Sequence, residues 1–148
     1  MFILTSSRKK SNIRCTNTFI NKHRKTHIEI TYHDYNGLIE TESWVNKNGE
    51  LHSIDAPAYI EYFENGNIER KAWYKNGKRH HIGGAPATID YFLHGNIQQE
   101  TWYINGRVHR SNGAPAVIKY LENGEIKLKA WYKYGVTYRI EPNYYKLL

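Results

Sequence analysis

Cysteine is nearly absent. Cys15 stands alone, so no intramolecular disulfide forms and a zinc site built from several cysteines is excluded. A single thiol in 148 residues fits a reducing, intracellular setting. Long apolar runs are missing as well, since nothing approaches the ~20 residues of a membrane-spanning helix. The apolar start Met1-Phe2-Ile3-Leu4 precedes Arg8-Lys9-Lys10, the reverse of a secretory signal's order. Neither secretion nor membrane insertion is expected. Acids are missing from residues 1–27, which hold Arg8, Lys9, Lys10, Arg14, Lys22, Arg24 and Lys25; the rest of the chain has as many basic residues as acids. The net charge of +7 therefore belongs to the N-terminal segment. Hydrophobic residues, at 40%, are thin for a conventional two-layer core, and aromatic rings make up the shortfall. Thirteen Tyr and four Trp suit a sheet held by flat rings that bury ~150–250 Å² each and keep a polar edge wet.

What the chain does have is a period. Trp44, Trp73, Trp102 and Trp131 stand 29 residues apart, and Ala56-Pro57, Ala85-Pro86 and Ala114-Pro115 keep the same interval. So do Ile60, Ile89 and Ile118, and Tyr62, Tyr91 and Tyr120. Within each unit apolar and polar residues alternate as in half-buried strands, and Asn65-Gly66, His94-Gly95 and Asn123-Gly124 mark tight turns where both residues tolerate positive φ. A second turn follows each Trp, at Asn48-Gly49, Asn76-Gly77, Asn105-Gly106 and Tyr134-Gly135. Two-residue loops there set Trp73 opposite His80, Trp102 opposite His109 and Trp131 opposite Tyr138, a cross-strand aromatic ladder. In the first copy the turn sits one residue late, which predicts Val45 rather than Trp44 opposite His52. The Ala-Pro corners interrupt pairing, because proline lacks the ladder donor.

The expected fold is all-β: an elongated antiparallel β-meander or solenoid of stacked hairpins with a 29-residue period and no significant helix. Three segments are expected. Residues 1–27 read either as a basic arm that orders only on meeting an anionic partner or, the favoured reading, as a degenerate capping hairpin, with Met1 to Thr5 a further strand and Thr18 to Arg24 a worn copy of Trp102 to Arg110. Residues 28–140 form the array, and 141–148, rich in Tyr and Leu, cover its last edge.

The recurring WYxNGxxHR, GAPAxIxY and NGxI segments resemble the MORN-like repeats, in the longer Trp-Tyr-x-Asn-Gly variant common in bacteria and in large DNA viruses of protists. The match runs from about residue 28 to 139 and is best at Trp73 to His80, Trp102 to Arg110, Ala114 to Tyr120 and Asn123 to Tyr132. The standard MORN unit is shorter and richer in glycine. The resemblance implies a hairpin solenoid used as a scaffold in protein association, sometimes proposed to bind phospholipid, with no catalytic activity and no cofactor. It implies a place inside the cell: cytoplasm, or nucleus or virion in a viral setting.

Candidate chemistry is sparse. His52, His80 and His109 recur in phase, but two strands at ~4.8 Å separate successive copies by ~10 Å, too far to share a zinc ion held at ~2.0–2.1 Å; His80-His81 remains as an adventitious pair. Glu61, Asp90 and Lys119 share one repeat position, as do Glu69, Gln98 and Lys127, and such variation reads as a solvated face. Ser43, Ser53 and Ser111 lie in or beside turns, with no nucleophile elbow or phosphate loop. A small-molecule substrate is not expected. Tyr59, Phe63 and Phe92 vary between copies and are expected to be an exposed face tuned to a protein partner or a second copy. The basic residues of the N-terminal segment point to an alternative partner, nucleic acid, or, with Met1 to Leu4, to an anionic membrane surface.

Overall fold

The computed structural model describes residues 17–21, 26–33 and 36–143. The basic residues Arg8, Lys9, Lys10, Arg14, Lys22, Arg24 and Lys25, the strand expected at Met1 to Thr5 and most of the C-terminal cap, 144–148, lie outside them. The described residues form fourteen strands and no helix: β1 Asn17–Asn21, β2 Thr26–Tyr32, β3 Ile39–Val45, β4 Tyr59–Tyr62, β5 Ile68–Ala72, β6 Tyr74–Lys75, β7 Lys78–Arg79, β8 Thr88–Tyr91, β9 Ile97–Thr101, β10 Tyr103–Ile104, β11 Arg107–Val108, β12 Val117–Tyr120, β13 Ile126–Lys133 and β14 Val136–Pro142. Ten of them make one open sheet in the order β1-β2-β3-β4-β5-β8-β9-β12-β13-β14, every neighbour antiparallel. The strands omitted from that order form two side hairpins, β6–β7 and β10–β11. Each leaves the sheet after a Trp and returns through a corner at Gly83-Gly84-Ala85-Pro86 or Asn112-Gly113-Ala114-Pro115.

Two turn chemistries alternate. In the two side hairpins, at Asn76-Gly77 and Asn105-Gly106, and between β13 and β14, at Tyr134-Gly135, both residues have positive φ, the geometry of a two-residue type I′ loop. The other turns of the main sheet differ from the expected type I′. At Asn65-Gly66 only the glycine is left-handed, and the loop is three residues long, closed by Phe63 N–H to Asn67 O at 2.8 Å and Gly66 N–H to Phe63 O at 2.8 Å. Asn65 serves there as an acceptor, its Oδ1 taking the Asn67 N–H at 3.0 Å, and Asn123 does the same for Glu125.

The pairing also moves three sequence-based positions. In the first copy His52 N–H bonds to Trp44 O at 2.8 Å, so Trp44 and not Val45 stands opposite His52; Val45 bridges Leu51. The extra residue is taken up by a longer loop, Asn46 to Glu50, with Asn46 Oδ1 accepting the Asn48 and Glu50 N–H groups. In the last copy Trp131 pairs with Arg139, because a bulge leaves Tyr138 without a partner. At the start, Thr18 opposite Glu29 holds the position that Ser43 holds opposite Tyr59. That puts Phe19, not Thr18, at the Trp position.

The core is a stripe rather than an interior. Ala58, Ala72, Ala87 and Ala116 are fully buried and Ala130, Thr88, Thr101, Val117 and Val45 nearly so, yet among the described residues no large side chain is completely enclosed. Small residues are needed where main-sheet strands meet the departing side hairpins, since the backbones there are joined by Ala58 N–H to Ala72 O, Trp73 N–H to Ala87 O and Ala116 N–H to Ala130 O, each at 2.9 Å.

Candidate interaction surfaces

Trp102 and Trp131, each 7% exposed, are the largest nearly buried residues. Each indole N–H crosses to a corner carbonyl, Trp102 Nε1 to Gly84 O at 3.0 Å and Trp131 Nε1 to Gly113 O at 2.9 Å. Gly84 and Gly113 present those carbonyls from left-handed backbone, φ 78° and 69°. The equivalent of Gly84 before Trp73 is Asp55, and the first corner is one residue shorter, Pro57 lying five residues after His52 where Pro86 lies six after His80. Trp73 is only half-buried.

The expected ring ladder is corrected. His80 and His109 do bond through their N–H groups to Trp73 O and Trp102 O at 3.0 Å, but the partner that covers each indole is the next residue along. The Arg110 guanidinium lies 3.7 Å from the Trp102 ring centroid, Arg139 4.4 Å from that of Trp131, and His81 tilts against Trp73 at 5.0 Å. The histidine faces the following side hairpin instead: His52 Nδ1 accepts Asn76 N–H at 3.2 Å, and His109 stacks on Tyr134 at 4.4 Å. Backbone bonds join the two side hairpins to each other and to the loops on either side, Gly77 N–H to Leu51 O, Gly106 N–H to Arg79 O and Gly135 N–H to Val108 O. Between the corners a cleft of about 480 Å³ is lined by His80, His81, Trp102, His109 and Arg110, with no acid among its lining residues. Among the described residues no group of three or more His, Cys, Asp or Glu side chains is placed to hold a metal ion.

Tyr59, Phe63 and Phe92 are half-buried rather than exposed. Phe63 and Phe92 flank a second cleft of about 280 Å³ near the turns, with Arg70, Asp90 and Tyr91. Tyr59 lies deeper, beside Glu61 and Arg70, where burial and then the charge of Glu61 raise its pKa. Glu61 and Asp90, expected on a solvated face, converge on Arg70 at 3.3 and 2.5 Å. Burial lowers the Arg70 pKa, but its hydrogen bond and charge interaction with Asp90, and then Glu61, raise it further; burial lifts Glu61 above the ordinary carboxylate range despite Arg70. Of the two acids, Asp90 is the nearer partner.

The alternation of side chains along each strand assigns the two faces of the sheet. Ile60, Lys71, Ile89, Glu100, Ile118 and Lys129 fall in one row on one face, each opposite the next in the pairing register. Glu42, opposite Ile60, extends the row to β3. A parallel row holds Tyr62, Ile68, Tyr91, Ile97, Tyr120 and Ile126. The rows are tied by tyrosines that reach a charge one strand back. Tyr120 Oη donates to Glu100 at 2.6 Å, the Lys71 ammonium sits 5.7 Å from the Tyr91 centroid, and Glu42 lies near enough to Tyr62 to raise its pKa. Burial, then the Glu100 contact, pushes the Tyr120 hydroxyl up to about 12. Tyr62 and Tyr91 are raised the same way, by burial first and by Glu42 and Glu100 second. This face is half-exposed along its length. The sequence reading missed it, although the charges recur at the period itself: Glu42, Lys71, Glu100 and Lys129 are 29 residues apart.

No helix among the described residues is long and apolar enough to cross a membrane. No family model, curated protein or solved structure matches the chain.

Proposed function

We propose that the chain is a non-enzymatic scaffold acting inside the cell: an array of stacked β-hairpins with a 29-residue period, MORN-like in its Trp-Tyr-x-Asn-Gly units, that binds another protein or a second copy of itself. The observation that carries this reading is a partly accessible face of Ile and Tyr rows, punctuated by charges, on an open sheet. Apolar side chains left partly accessible in rows suit association. The period is supported by contacts that recur at it, the indole bonds of Trp102 and Trp131 and the side-hairpin bonds of Gly106 and Gly135. Neither cofactor nor small-molecule substrate has a part in this reading.

The test is photo-cross-linking in the native cells, with a photoreactive residue at Ile89 or Ile97 on that face and at Lys119 on the other. A discrete adduct to a protein, another copy included, from the Ile face supports the scaffold. Absence of any discrete adduct from these positions refutes it. A second reading, nucleic-acid binding, rests on the seven basic residues and no acid in residues 1–27. It requires binding that weakens steeply with salt and disappears when those residues are replaced by Gln. Binding to liposomes that needs acidic lipid would instead turn the same residues toward a membrane surface.

A further inference from the structure

We infer that the Ile and Tyr face is self-complementary and pairs with the same face of a second copy, about a two-fold axis that runs parallel to the strands over Ile89. This deepens the scaffold reading and rests on it. The argument is the order of charges. Across the sheet from β3 to β13 the row reads Glu42, Lys71, Glu100, Lys129, alternating in sign at every second strand, with Ile60, Ile89 and Ile118 between them. A two-fold axis along the central strand β8 reverses the order of strands and keeps each residue's height along them. It therefore lays Lys71 on Glu100 of the second copy and Glu100 on its Lys71, Glu42 on its Lys129 and Lys129 on its Glu42. Ile60 meets the second Ile118, and Ile89 meets itself.

Every charge of the row from β3 to β13 finds the opposite sign, which a row of one sign does not allow; Glu141, the row's next member on β14, falls on Ile30 of the second copy. Rotation about an axis across the strands lays each charge of the row on its own copy and is repulsive throughout. Charge order thus selects one of the two face-to-face dimers, the usual role of charges at an interface. Isologous pairing is also the commonest symmetry of soluble oligomers.

The dimensions suffice. From β3 to β13 there are six inter-strand steps, ~29 Å at the usual spacing, and the rows from the tyrosines to the tryptophans cover ~20 Å along the strands. The resulting ~600 Å² per copy is at the lower end for a specific interface, consistent with a micromolar dimer. Packed sheets lie ~10 Å apart, a gap that Ile and Tyr side chains from both copies fill. The central pair is the one to test, because Lys129 already lies opposite Glu141 within its own chain.

Sedimentation equilibrium of the full chain is the experiment. Wild type is expected to be a dimer at ~100 µM and to dissociate in the micromolar range. Lys71→Glu brings like charges together at two symmetry-related contacts, as does Glu100→Lys, and each alone is expected to weaken the dimer at least ~10-fold. Mixing the two variants pairs the new Glu of one with the new Lys of the other at one contact and native Glu100 with native Lys71 at the other, so the mixture regains a dimer that neither forms. Far-UV circular dichroism checks that both variants fold. Should either not fold, Ile89→Cys on a Cys15→Ser background, treated with a short bismaleimide, is expected to give a cross-linked dimer, and Lys119→Cys on the other face is not. A wild-type monomer throughout, a dimer indifferent to both single substitutions, or a mixture that stays monomeric overturns the proposal. Photo-adducts from Ile89 to a different protein, with a monomeric purified chain, overturn it while leaving the scaffold standing.

Discussion

Replacing Trp102 by Phe separates an anchoring tryptophan from one that only fills space, provided Trp73→Phe is measured beside it. Both substitutions shrink an aromatic ring at the same place in successive units, so the loss of ring volume cancels in part, the deeper burial of Trp102 leaving a packing cost of the same sign. What does not cancel is the Trp102 Nε1 bond to Gly84 O at 3.0 Å and the Arg110 guanidinium 3.7 Å from the ring. Gly84 lies in an exposed corner. Its carbonyl takes water once the indole is gone, so the net value of a hydrogen bond applies, about 1 kcal/mol, and not the larger penalty of a buried orphan. The weaker quadrupole of Phe costs roughly 0.5 kcal/mol more at a half-buried cation contact. Trp102→Phe should therefore destabilise the chain by about 1.5 kcal/mol more than Trp73→Phe. In urea, with a slope of ~1–3 kcal/mol/M, the midpoints should differ by ~0.5–1.5 M. Trp131→Phe, which loses the bond to Gly113 O at 2.9 Å, should fall with Trp102→Phe. Equal costs at Trp73 and Trp102, or a larger one at Trp73, would refute the assignment of the indole bonds as anchors.

Gly84→Ala, at φ 78°, should cost ~1–2 kcal/mol through left-handed strain alone, with open space around the added methyl; Gly84→Asn should cost less in the same urea melts. Ala87→Val, at a fully buried position, should lose ~1–3 kcal/mol by overpacking, whereas Lys119→Val on the exposed surface should change little. Tyr59, Tyr62, Tyr91 and Tyr120 all have folded pKa values above the ordinary 10.0. Their contribution is complete below pH 10 and is lost as pH rises through the folded values, reaching about 12 at Tyr120. Phenolate absorbance followed alongside circular dichroism should show melting temperature falling across that window, and Tyr120→Phe should flatten its upper part.

Much of the sheet was legible because its signals are local. Alternation, a turn every dozen or so residues and a fixed offset require antiparallel hairpins whatever the tertiary contacts. The errors arose where one residue is gained or lost. The late turn at Asn48-Gly49 looked like a slipped register, but Asn46 closes a longer loop and restores Trp44 opposite His52. The missing residue in the corner before Pro57 compensates for it, and that shortening was visible in the sequence. The bulge at Tyr138 had no such mark. The ladder failed for a different reason: directly opposed backbones do not dictate which rings touch, and Arg110 and Arg139 displaced the expected histidine and tyrosine from the indoles. Arg follows His in the repeating signature, so the cation was in view but its role was not.

The candidate face was hidden for a topological reason. How near residues 29 apart stand on a shared face depends on whether the second hairpin of each unit stays in the sheet. Counting every predicted strand leaves the side hairpins in and doubles the spacing between Lys71 and Glu100. With β6–β7 and β10–β11 set aside in hairpins of their own, the two charges stand on β5 and β9, two strands apart across β8. The Ala-Pro corner makes the difference, as the last copy, which lacks one, demonstrates. After Trp131 the chain has no Gly-Ala-Pro segment, β14 runs on unbroken, and Ile140 opposite Ala130 takes the position that Val117 holds opposite Thr101. Loss of a corner thus merges a side hairpin with the next main strand. Keeping the corner lets each added unit place one further charge on the shared face.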